Sequence, residues 1–181
     1  MLIANKIAAS AAFTTGRLTV QHWSDRIADA DWLLQALPDL LTPPVLAQLP
    51  PSFAPPDSPD GWRRWISDRA RECDVYTVCT SADDNMIGLL ILAGDDQENA
   101  PVIHVGYLLR TDSWGQGYGS ELVNGLVDKL ADGQACRLLA GVAIDNPASA
   151  RILQKAGFSR SNTLSDSDTD MFTRSVGRTT I

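Results

Sequence analysis

The sequence predicts a single α/β domain that spans residues 1–181. This length is enough to bury a full hydrophobic core but is short for two domains. Strand-like and helix-like hydrophobic patterns alternate along the chain, which is typical of an α/β fold. Hydrophobic residues make up 44% of the sequence and charged residues 20%, and no apolar run is long enough to span a bilayer.

Charge and cysteine content narrow the range of partners. The chain has 15 Lys and Arg against 22 Asp and Glu, and the resulting net charge of -7 disfavours nucleic acid and favours a cationic partner. Cys73, Cys79 and Cys136 lack the spacing of a metal site or a disulfide framework. We expect them to be small buried side chains in a reducing cytoplasm, and we expect neither a metal nor a membrane partner.

The N-terminal part predicts a strand and a helix. In residues 1–15, Asn5 and Lys6 interrupt a run of small apolar residues, which favours a loose or strand-like lead over a secretory signal. Residues 17–23 alternate between apolar and polar in the manner of a strand. Residues 24–37 follow with a serine cap and apolar side chains at helical spacing, so we expect a helix there.

A proline-rich connection, residues 38–60, comes next. It holds eight of the ten prolines of the chain and cannot be helical throughout. Two interpretations remain open: the connection wraps the domain, or it forms a lid that faces the substrate. A helix begins near Asp60, and Trp62 and Trp65 share its apolar stripe, so we expect both indoles in the core.

The rest of the chain predicts six strands and two helices. Residues 75–80 and 86–94 should pair as an antiparallel hairpin, because the turn between them is rich in Asp and Asn. The other elements are a strand at 101–109, a helix with an apolar face of Leu122, Val123, Leu126, Val127 and Leu130, a strand at 137–144, a helix between Asn146 and Gly157, two weak strands, and a frayed tail at 177–181.

The stretch SWGQGYGSEL, residues 113–122, places three glycines at alternate positions between a strand and a helix. Such a loop exposes unpaired backbone amides at the positive end of a helix dipole, which makes it an anion site. A Walker-type nucleotide loop is excluded, because no lysine occurs between Arg110 and Lys129. A dinucleotide-binding fold would need a different glycine spacing and an earlier place in the chain.

Three segments together resemble one family. Trp114 to Gly119 reads WGQGYG, Asn146 opens the run NPAS, and KAGF ends at Phe158. These segments resemble the GCN5-related N-acetyltransferases (GNAT), whose signature Arg/Gln-x-x-Gly-x-Gly/Ala precedes an Asn-led helix ending in Gly-Phe. The resemblance covers nearly the whole chain and is most specific from Val102 onward. Tryptophan at the first position of the signature resembles the branch that acetylates N-terminal amines of ribosomal proteins (RimJ/RimL-like).

The resemblance implies a fold and a cosubstrate. The fold is a central mixed, mostly antiparallel sheet with splayed parallel central strands, flanked by about four helices. The cosubstrate is acetyl-CoA, with its pyrophosphate on the loop amides and its pantetheine arm along the strand edge. The implied cofactor-binding residues are Leu108, Leu109, Arg110, Trp114, Gly115, Gln116, Gly117, Tyr118, Gly119, Ser120 and Asn146.

The resemblance also implies two catalytic residues, His104 and Ser149. His104 occupies a strand position where family members frequently carry a glutamate, and imidazoles titrate near neutral pH, so it is the candidate base. Many relatives use a tyrosine as the acid, but this chain has Leu153 there, and Ser149 matches the serine of the ribosomal-protein branch. Structural roles remain open: His104 within its strand, and Ser149 and Asn146 in satisfying backbone amides at the helix start.

Three further side chains near these positions have simpler explanations. Packing explains Tyr107 and Tyr118, although each phenol could also donate a hydrogen bond in the cleft. Glu121 lies in the first turn of its helix, where a carboxylate compensates the helix dipole.

We therefore predict an N-acetyltransferase that moves an acetyl group from acetyl-CoA directly to a primary amine. Direct transfer is favoured because no nucleophilic cysteine arrangement is visible. The negative charge fits a protein N-terminus, a polyamine or an aminoglycoside as acceptor, although solubility explains the charge equally well. The alternatives are an inactive acyl-CoA sensor and a dinucleotide-binding oxidoreductase. We expect a cytoplasmic monomer or homodimer.

Overall fold

The computed structural model describes residues 3–96 and 101–178, apart from the side chains of residues 27–30 and of Ser52. Within these residues, eight strands and six α-helices are joined by three short 3-10 helices. The strands are β1 (Phe13–Thr14), β2 (Leu18–His22), β3 (Asp74–Thr80), β4 (Met86–Asp95), β5 (Val102–Leu109), β6 (Cys136–Ala143), β7 (Ser159–Ser161) and β8 (Thr169–Val176). The helices are α1 (Ile3–Ala9), α2 (Ala30–Leu40), α3 (Pro43–Leu46), α4 (Gly61–Glu72), α5 (Tyr118–Ala131) and α6 (Pro147–Lys155).

One sheet contains the eight strands, in the order β1-β2-β3-β4-β5-β6-β8-β7. Neighbouring strands are antiparallel except β5 and β6, which run parallel. Although β5 and β6 are each eight residues long, their pairing joins only residues 102–104 to residues 137–139. Beyond His104 and Leu139 the two strands separate, and we call the gap between them the cleft. This arrangement confirms the predicted mostly antiparallel sheet with splayed central strands.

A buried hydrophobic cluster lies on each face of the sheet. The first core cluster includes Leu122 and Leu126 of α5 and Leu153 of α6, together with residues of α1. The second core cluster is formed with α2, α3 and α4 and includes Trp62 and Trp65, each 8% exposed. Both indoles therefore lie in the core, as predicted from their spacing.

The N-terminal segment forms α1, where the sequence predicted a loose or strand-like lead over residues 1–15. Ala4 and Ala8 are fully buried against the sheet. Gly94 of β4 permits this contact, because a Cβ there would lie 2.5 Å from the backbone of Ala4. The Asp96 carboxylate also accepts a hydrogen bond from Ala4 N at 3.0 Å. The helix thus depends on tertiary contacts of small residues, which leave no strong periodic pattern in the sequence.

The proline-rich connection starts later than residue 38. Helix α2 continues to Leu40 with Pro38 inside it, and the connection contains α3 and a 3-10 helix. Phe53 meets Trp65 edge to face at 6.1 Å between ring centroids, and the indole Nε1 donates a hydrogen bond to Ala54 O at 3.0 Å. These contacts with α4 support the interpretation that the connection wraps the domain.

The other elements follow the sequence pattern with small differences. Strands β3 and β4 pair antiparallel, which confirms the predicted hairpin. Residues 23–29 form a 3-10 helix, so the first long helix begins at Ala30 instead of behind Ser24. Helices α1 and α3 bring the described helices to six, where about four were expected. Of the predicted frayed tail, residues 179–181 lie outside the described residues, and Arg178 bridges to Gln134.

No helix within residues 3–96 and 101–178 is both long enough and apolar enough to cross a bilayer.

Candidate functional site

The cleft opens where β5 leaves β6. His104 is the last β5 residue in the parallel ladder, opposite Leu139. Side chains of a strand point alternately to its two faces. Val105 belongs to the first core cluster and Leu108 to the second, and Tyr107 packs against the first. His104 therefore lies on the face of the second cluster and Tyr107 on the face of the first.

The glycine-rich loop lies between the end of β5 and the start of α5. Gly115 and Gly117 have φ values of 73° and 83°, in the left-handed region that favours glycine. A Cβ on Gly115 would meet no heavy atom within 4 Å, so the space beside it is open. A Cβ on Gly119 would instead lie 2.8 Å from Ile152 Cδ1. The first two glycines thus shape the loop, and the third lets α5 pack against α6.

The loop presents free backbone amides at the N-terminus of α5. The bond from Glu121 N to Gly117 O, at 3.1 Å, is the first that α5 makes back to the loop. Within the described residues, the amides from Gly115 to Ser120 donate no hydrogen bond. Helix α5 is 14 residues long, and its dipole adds partial positive charge here. These amides and the open space at Gly115 fit the pyrophosphate of coenzyme A.

Three predicted cofactor residues hold the loop in shape. Trp114 Nε1 donates a hydrogen bond to Leu109 O at 2.8 Å, while 48% of Trp114 stays exposed. Gln116 Nε2 donates to Asp112 O at 2.6 Å. Arg110 pairs with the Asp112 carboxylate, also at 2.6 Å, so part of its guanidinium is engaged within the loop.

A group of polar side chains ties the start of β2 to this loop, and we call it the Arg17–Glu121 brace. Thr15 Oγ1 and Arg17 Nε each donate to the Glu121 carboxylate at 2.6 Å, and Arg17 N donates to it at 2.8 Å. Arg17 Nη1 donates to Gln116 O at 3.1 Å, and the guanidinium lies 4.4 Å from the centre of the Tyr118 ring. Burial acts to raise the pKa of Glu121, but these hydrogen bonds outweigh it and lower the pKa.

Ser149 and Tyr107 meet at the border of the cleft. Asn146 Oδ1 accepts a hydrogen bond from Ser149 N at 3.1 Å, so Asn146 caps α6. The Ser149 hydroxyl lies 2.8 Å from the Tyr107 hydroxyl. Burial raises the pKa of Tyr107 to about 12, although the hydrogen bond with Ser149 acts to lower it. The sequence alone explained Tyr107 by packing, but in the structure its hydroxyl also contacts a candidate site residue.

His104 does not join this pair. Its side chain is exposed, and within the described part of the chain it makes no hydrogen bond or ion pair. The structure brings Ser149 to Tyr107, and it places His104 on the other face of the sheet at the point where the cleft opens. In the role that the resemblance implies, His104 could accept a proton on one face of the sheet while the hydroxyl pair acts on the other.

Sequence reasoning missed the Arg17–Glu121 brace and the Tyr107–Ser149 pair. Their partners are 104 and 42 residues apart, respectively. Such contacts depend on which strands are neighbours in the sheet, and no local pattern records them. The only available signal was the type and position of each residue, a tyrosine near the end of a strand and a glutamate in the first turn of a helix.

A cavity of about 450 Å³ lies at the Arg17–Glu121 brace, away from the cleft, and its lining includes Thr15, Gly16, Glu121, Asn124, Asp128 and Lys129. No residue of its lining belongs to β5, to β6 or to the run from Gly115 to Ser120. Among the described residues, no group of three or more His, Cys, Asp or Glu could hold a metal ion.

Comparison with known proteins places this geometry in a family. A family model described as an acetyltransferase (GNAT) domain matches residues 17–159. The structure of an acetyltransferase from Agrobacterium tumefaciens str. C58 is similar to this chain, with a TM-score of 0.62 and 20% sequence identity. The similarity covers 90% of this chain and 93% of the Agrobacterium chain. No curated protein matches the chain.

Two further solved structures share the fold and contain coenzyme A. RimL, a ribosomal L7/L12 alpha-N-protein acetyltransferase, has 16% identity and a TM-score of 0.62, covering 91% of this chain and 97% of its own. Spermidine N-acetyltransferase from Vibrio cholerae, in complex with coenzyme A and spermine, has 15% identity and a TM-score of 0.66, covering 89% and 96%. These identities are low enough that the structures show the fold alone, whereas the family model spans most of the chain. The chain therefore belongs to the acetyltransferase (GNAT) family.

Proposed function

We propose that this protein transfers the acetyl group of acetyl-CoA directly to a primary amine, either a protein N-terminus or a small-molecule amine. The observation that carries the proposal is a loop of free amides beside the cleft between β5 and β6. Family membership supports acetyl-CoA as the donor, because GNAT enzymes use it. The solved structures of RimL and the spermidine enzyme, which share the fold, are both complexes with coenzyme A.

The loop and the strand edge are the proposed binding surface for coenzyme A. The amides from Gly115 to Ser120 would hold the pyrophosphate. The backbone of Leu108, Leu109 and Arg110 borders the cleft past the last β5–β6 pair, where it would lie along the pantetheine arm. Asn146 uses Oδ1 as the helix cap, which leaves its Nδ2 group as a donor for the same arm.

The catalytic roles are proposed for His104 and Ser149. When an amine attacks the thioester, its nitrogen must give up a proton before the product is a neutral amide. His104 lies where the cleft opens and would accept that proton. The Ser149 hydroxyl would donate a hydrogen bond to the sulfur as the C–S bond breaks. The proton from the amine then passes to solvent, and the thiolate takes a proton from solvent.

The cysteines favour direct transfer over a covalent acetyl-enzyme. Cys79 and Cys136 are buried as expected, whereas Cys73 is only half-buried. Burial raises the pKa of each of the three thiols to about 11. A thiol with such a pKa is hardly ionised near neutral pH, and the thiolate is the nucleophilic form. None of the three lies in the loop or among the residues that border the cleft.

The acceptor is proposed to be cationic. The net charge of -7 attracts ammonium groups over long range. RimL acts on an N-terminal amine and the Vibrio cholerae enzyme on spermidine, so the same fold accommodates both kinds of amine. The Trp114-Gly115 start of the loop signature favours the branch that contains RimL.

A thermal-shift comparison tests the proposed donor. Acetyl-CoA at 100 times its Kd is expected to stabilise the protein by about 2.7 kcal/mol, which raises Tm by about 5–10 °C for a domain of this size. NAD at the same concentration is expected to have no effect. Stabilisation by NAD and not by acetyl-CoA would contradict the proposal and support a dinucleotide-binding oxidoreductase.

A further inference from the structure

Tyr107 and Ser149 are joined by a hydrogen bond of 2.8 Å although they are 42 residues apart. Tyr107 belongs to β5, and Ser149 lies in the first turn of α6, which follows β6. The bond therefore connects the two sides of the cleft. Both side chains are half-buried, so neither hydroxyl is surrounded by solvent.

The Ser149 hydroxyl is not used by its own helix. A serine in the first turn of a helix commonly satisfies a backbone group of that turn. Here the backbone N–H of Ser149 donates a hydrogen bond to Asn146 Oδ1 at 3.1 Å, and the Ser149 hydroxyl takes no part in that bond. The hydroxyl has one O–H donor and two acceptor lone pairs, so its O–H remains free to donate elsewhere when Tyr107 is the donor of their shared bond.

We propose that Tyr107 donates this hydrogen bond and is thereby a positioning residue, which turns the Ser149 O–H toward the sulfur that leaves during acetyl transfer. The inference rests on the function proposed above. When the phenol proton lies between the two oxygens, the serine proton must point to a different acceptor. Burial raises the pKa of Tyr107 to about 12, so the phenol keeps its proton and remains a donor at neutral pH.

In the proposed acetyl transfer, neither the Tyr107 hydroxyl nor the Ser149 hydroxyl has to lose its proton. A C–N bond forms between the amine and the acetyl carbonyl carbon, and the C–S bond breaks with its electron pair on sulfur. Ser149 donates to the sulfur as negative charge develops there, and the bond from Tyr107 to its oxygen strengthens that donor. The amine proton goes to His104 and then to solvent, and the thiolate is protonated from solvent.

A double-mutant cycle with acetyl-CoA, and with spermine or a peptide with a free N-terminus as acceptor, tests this inference. Tyr107→Phe keeps the ring and is expected to lower kcat by about 3- to 10-fold, with KM for acetyl-CoA changed by less than about twofold. Ser149→Ala is expected to lower kcat by about 10- to 100-fold. In the Ser149→Ala background, Tyr107→Phe is expected to cost less than about a further twofold, because the tyrosine acts through the serine.

Two variants serve as controls. Ser149→Thr keeps a hydroxyl and is expected to restore most of the rate that Ser149→Ala loses. Tyr76→Phe removes another buried phenol hydroxyl, one that donates to Ala8 O on the N-terminal side of the fold. It is expected to lower Tm and leave kcat unchanged.

Three results would overturn the inference. The first is an unchanged kcat in Tyr107→Phe, and the second is an equal loss from Tyr107→Phe with and without the Ser149 hydroxyl. The third is a rise in KM alone, which would show that the phenol only helps binding. A wild-type protein that binds acetyl-CoA but releases no thiol with any primary amine would instead contradict the proposed function, on which this inference rests.

Discussion

Gly115 and Gly119 belong to one sequence motif but meet different physical demands. Gly115 has a φ of 73° and open space where a Cβ would project. Gly119 has no such space, because Ile152 Cδ1 is 2.8 Å from the position of its missing Cβ. A methyl group at Gly115 would therefore enter the space proposed for the pyrophosphate, whereas a methyl group at Gly119 would interfere with packing.

Gly115→Ala is expected to raise KM for acetyl-CoA by about tenfold, which corresponds to about 1.4 kcal/mol of lost binding. The cause is the left-handed backbone together with a Cβ in the space assigned to the pyrophosphate. Steady-state kinetics or calorimetry with acetyl-CoA measures the change. Gly133→Ala is the matched control, because its Cβ would make only an ordinary contact of 3.5 Å. Equal acetyl-CoA affinity in the two variants would show that the loop does not bind the phosphates.

His104→Ala is expected to lower kcat/KM for the amine by about 10²- to 10⁴-fold, the usual contribution of a general base. The rate of the variant should also lose the rise with pH that the deprotonation of a base produces. Stopped assays of thiol release between pH 5.5 and about 8.5 measure both effects. His22→Gln changes the other histidine, which contacts Ser24 and Asp74 far from the cleft, and is expected to leave the profile unaltered. An unchanged profile in His104→Ala would exclude His104 as the base.

At the scale of elements, the Arg17–Glu121 brace connects β2 to the loop and to α5. The carboxylate of Glu121 accepts three hydrogen bonds from residues 15 and 17. Arg17 in turn donates to the loop carbonyl of Gln116. Contacts with residues 15 and 17 thus help to set the conformation of the loop. A preformed loop loses less conformational entropy when it binds phosphate.

Glu121→Gln is expected to lower Tm at pH 7 by a few degrees, because the half-exposed pair contributes at most about 1 kcal/mol. The pKa of Glu121 is lowered from its ordinary value of 4.5 in the folded protein, so its stabilisation is present above pH 4.5 and is lost as pH falls through the folded pKa. Melting curves from pH 3 to about 7 should show the wild type and the variant converging in acid. A difference that stays constant across this range would mean that the carboxylate charge has no part in the brace.

At the scale of the whole molecule, the sequence was most informative where a pattern is local. Periodicity and caps placed the β3–β4 hairpin, α5 and the Asn146-capped α6, and the glycine loop together with the NPAS and KAGF segments indicated the family. Helix α1 was missed because buried alanines at positions 4 and 8 carry no amphipathic signal. The Tyr107–Ser149 pair and the brace could not be predicted, since each requires the strand order of the finished sheet.

We propose that this chain, which belongs to the GNAT family, transfers an acetyl group from acetyl-CoA directly to an amine. The most direct test follows free thiol from acetyl-CoA in the presence of a panel of amines, including N-terminal peptides, polyamines and aminoglycosides, with mass spectrometry of the acceptors. We expect thiol release that depends on one class of amine, together with one added acetyl group on that amine. Acetyl-CoA binding without thiol release or acetylated product for any amine would contradict the account and indicate an acyl-CoA sensor.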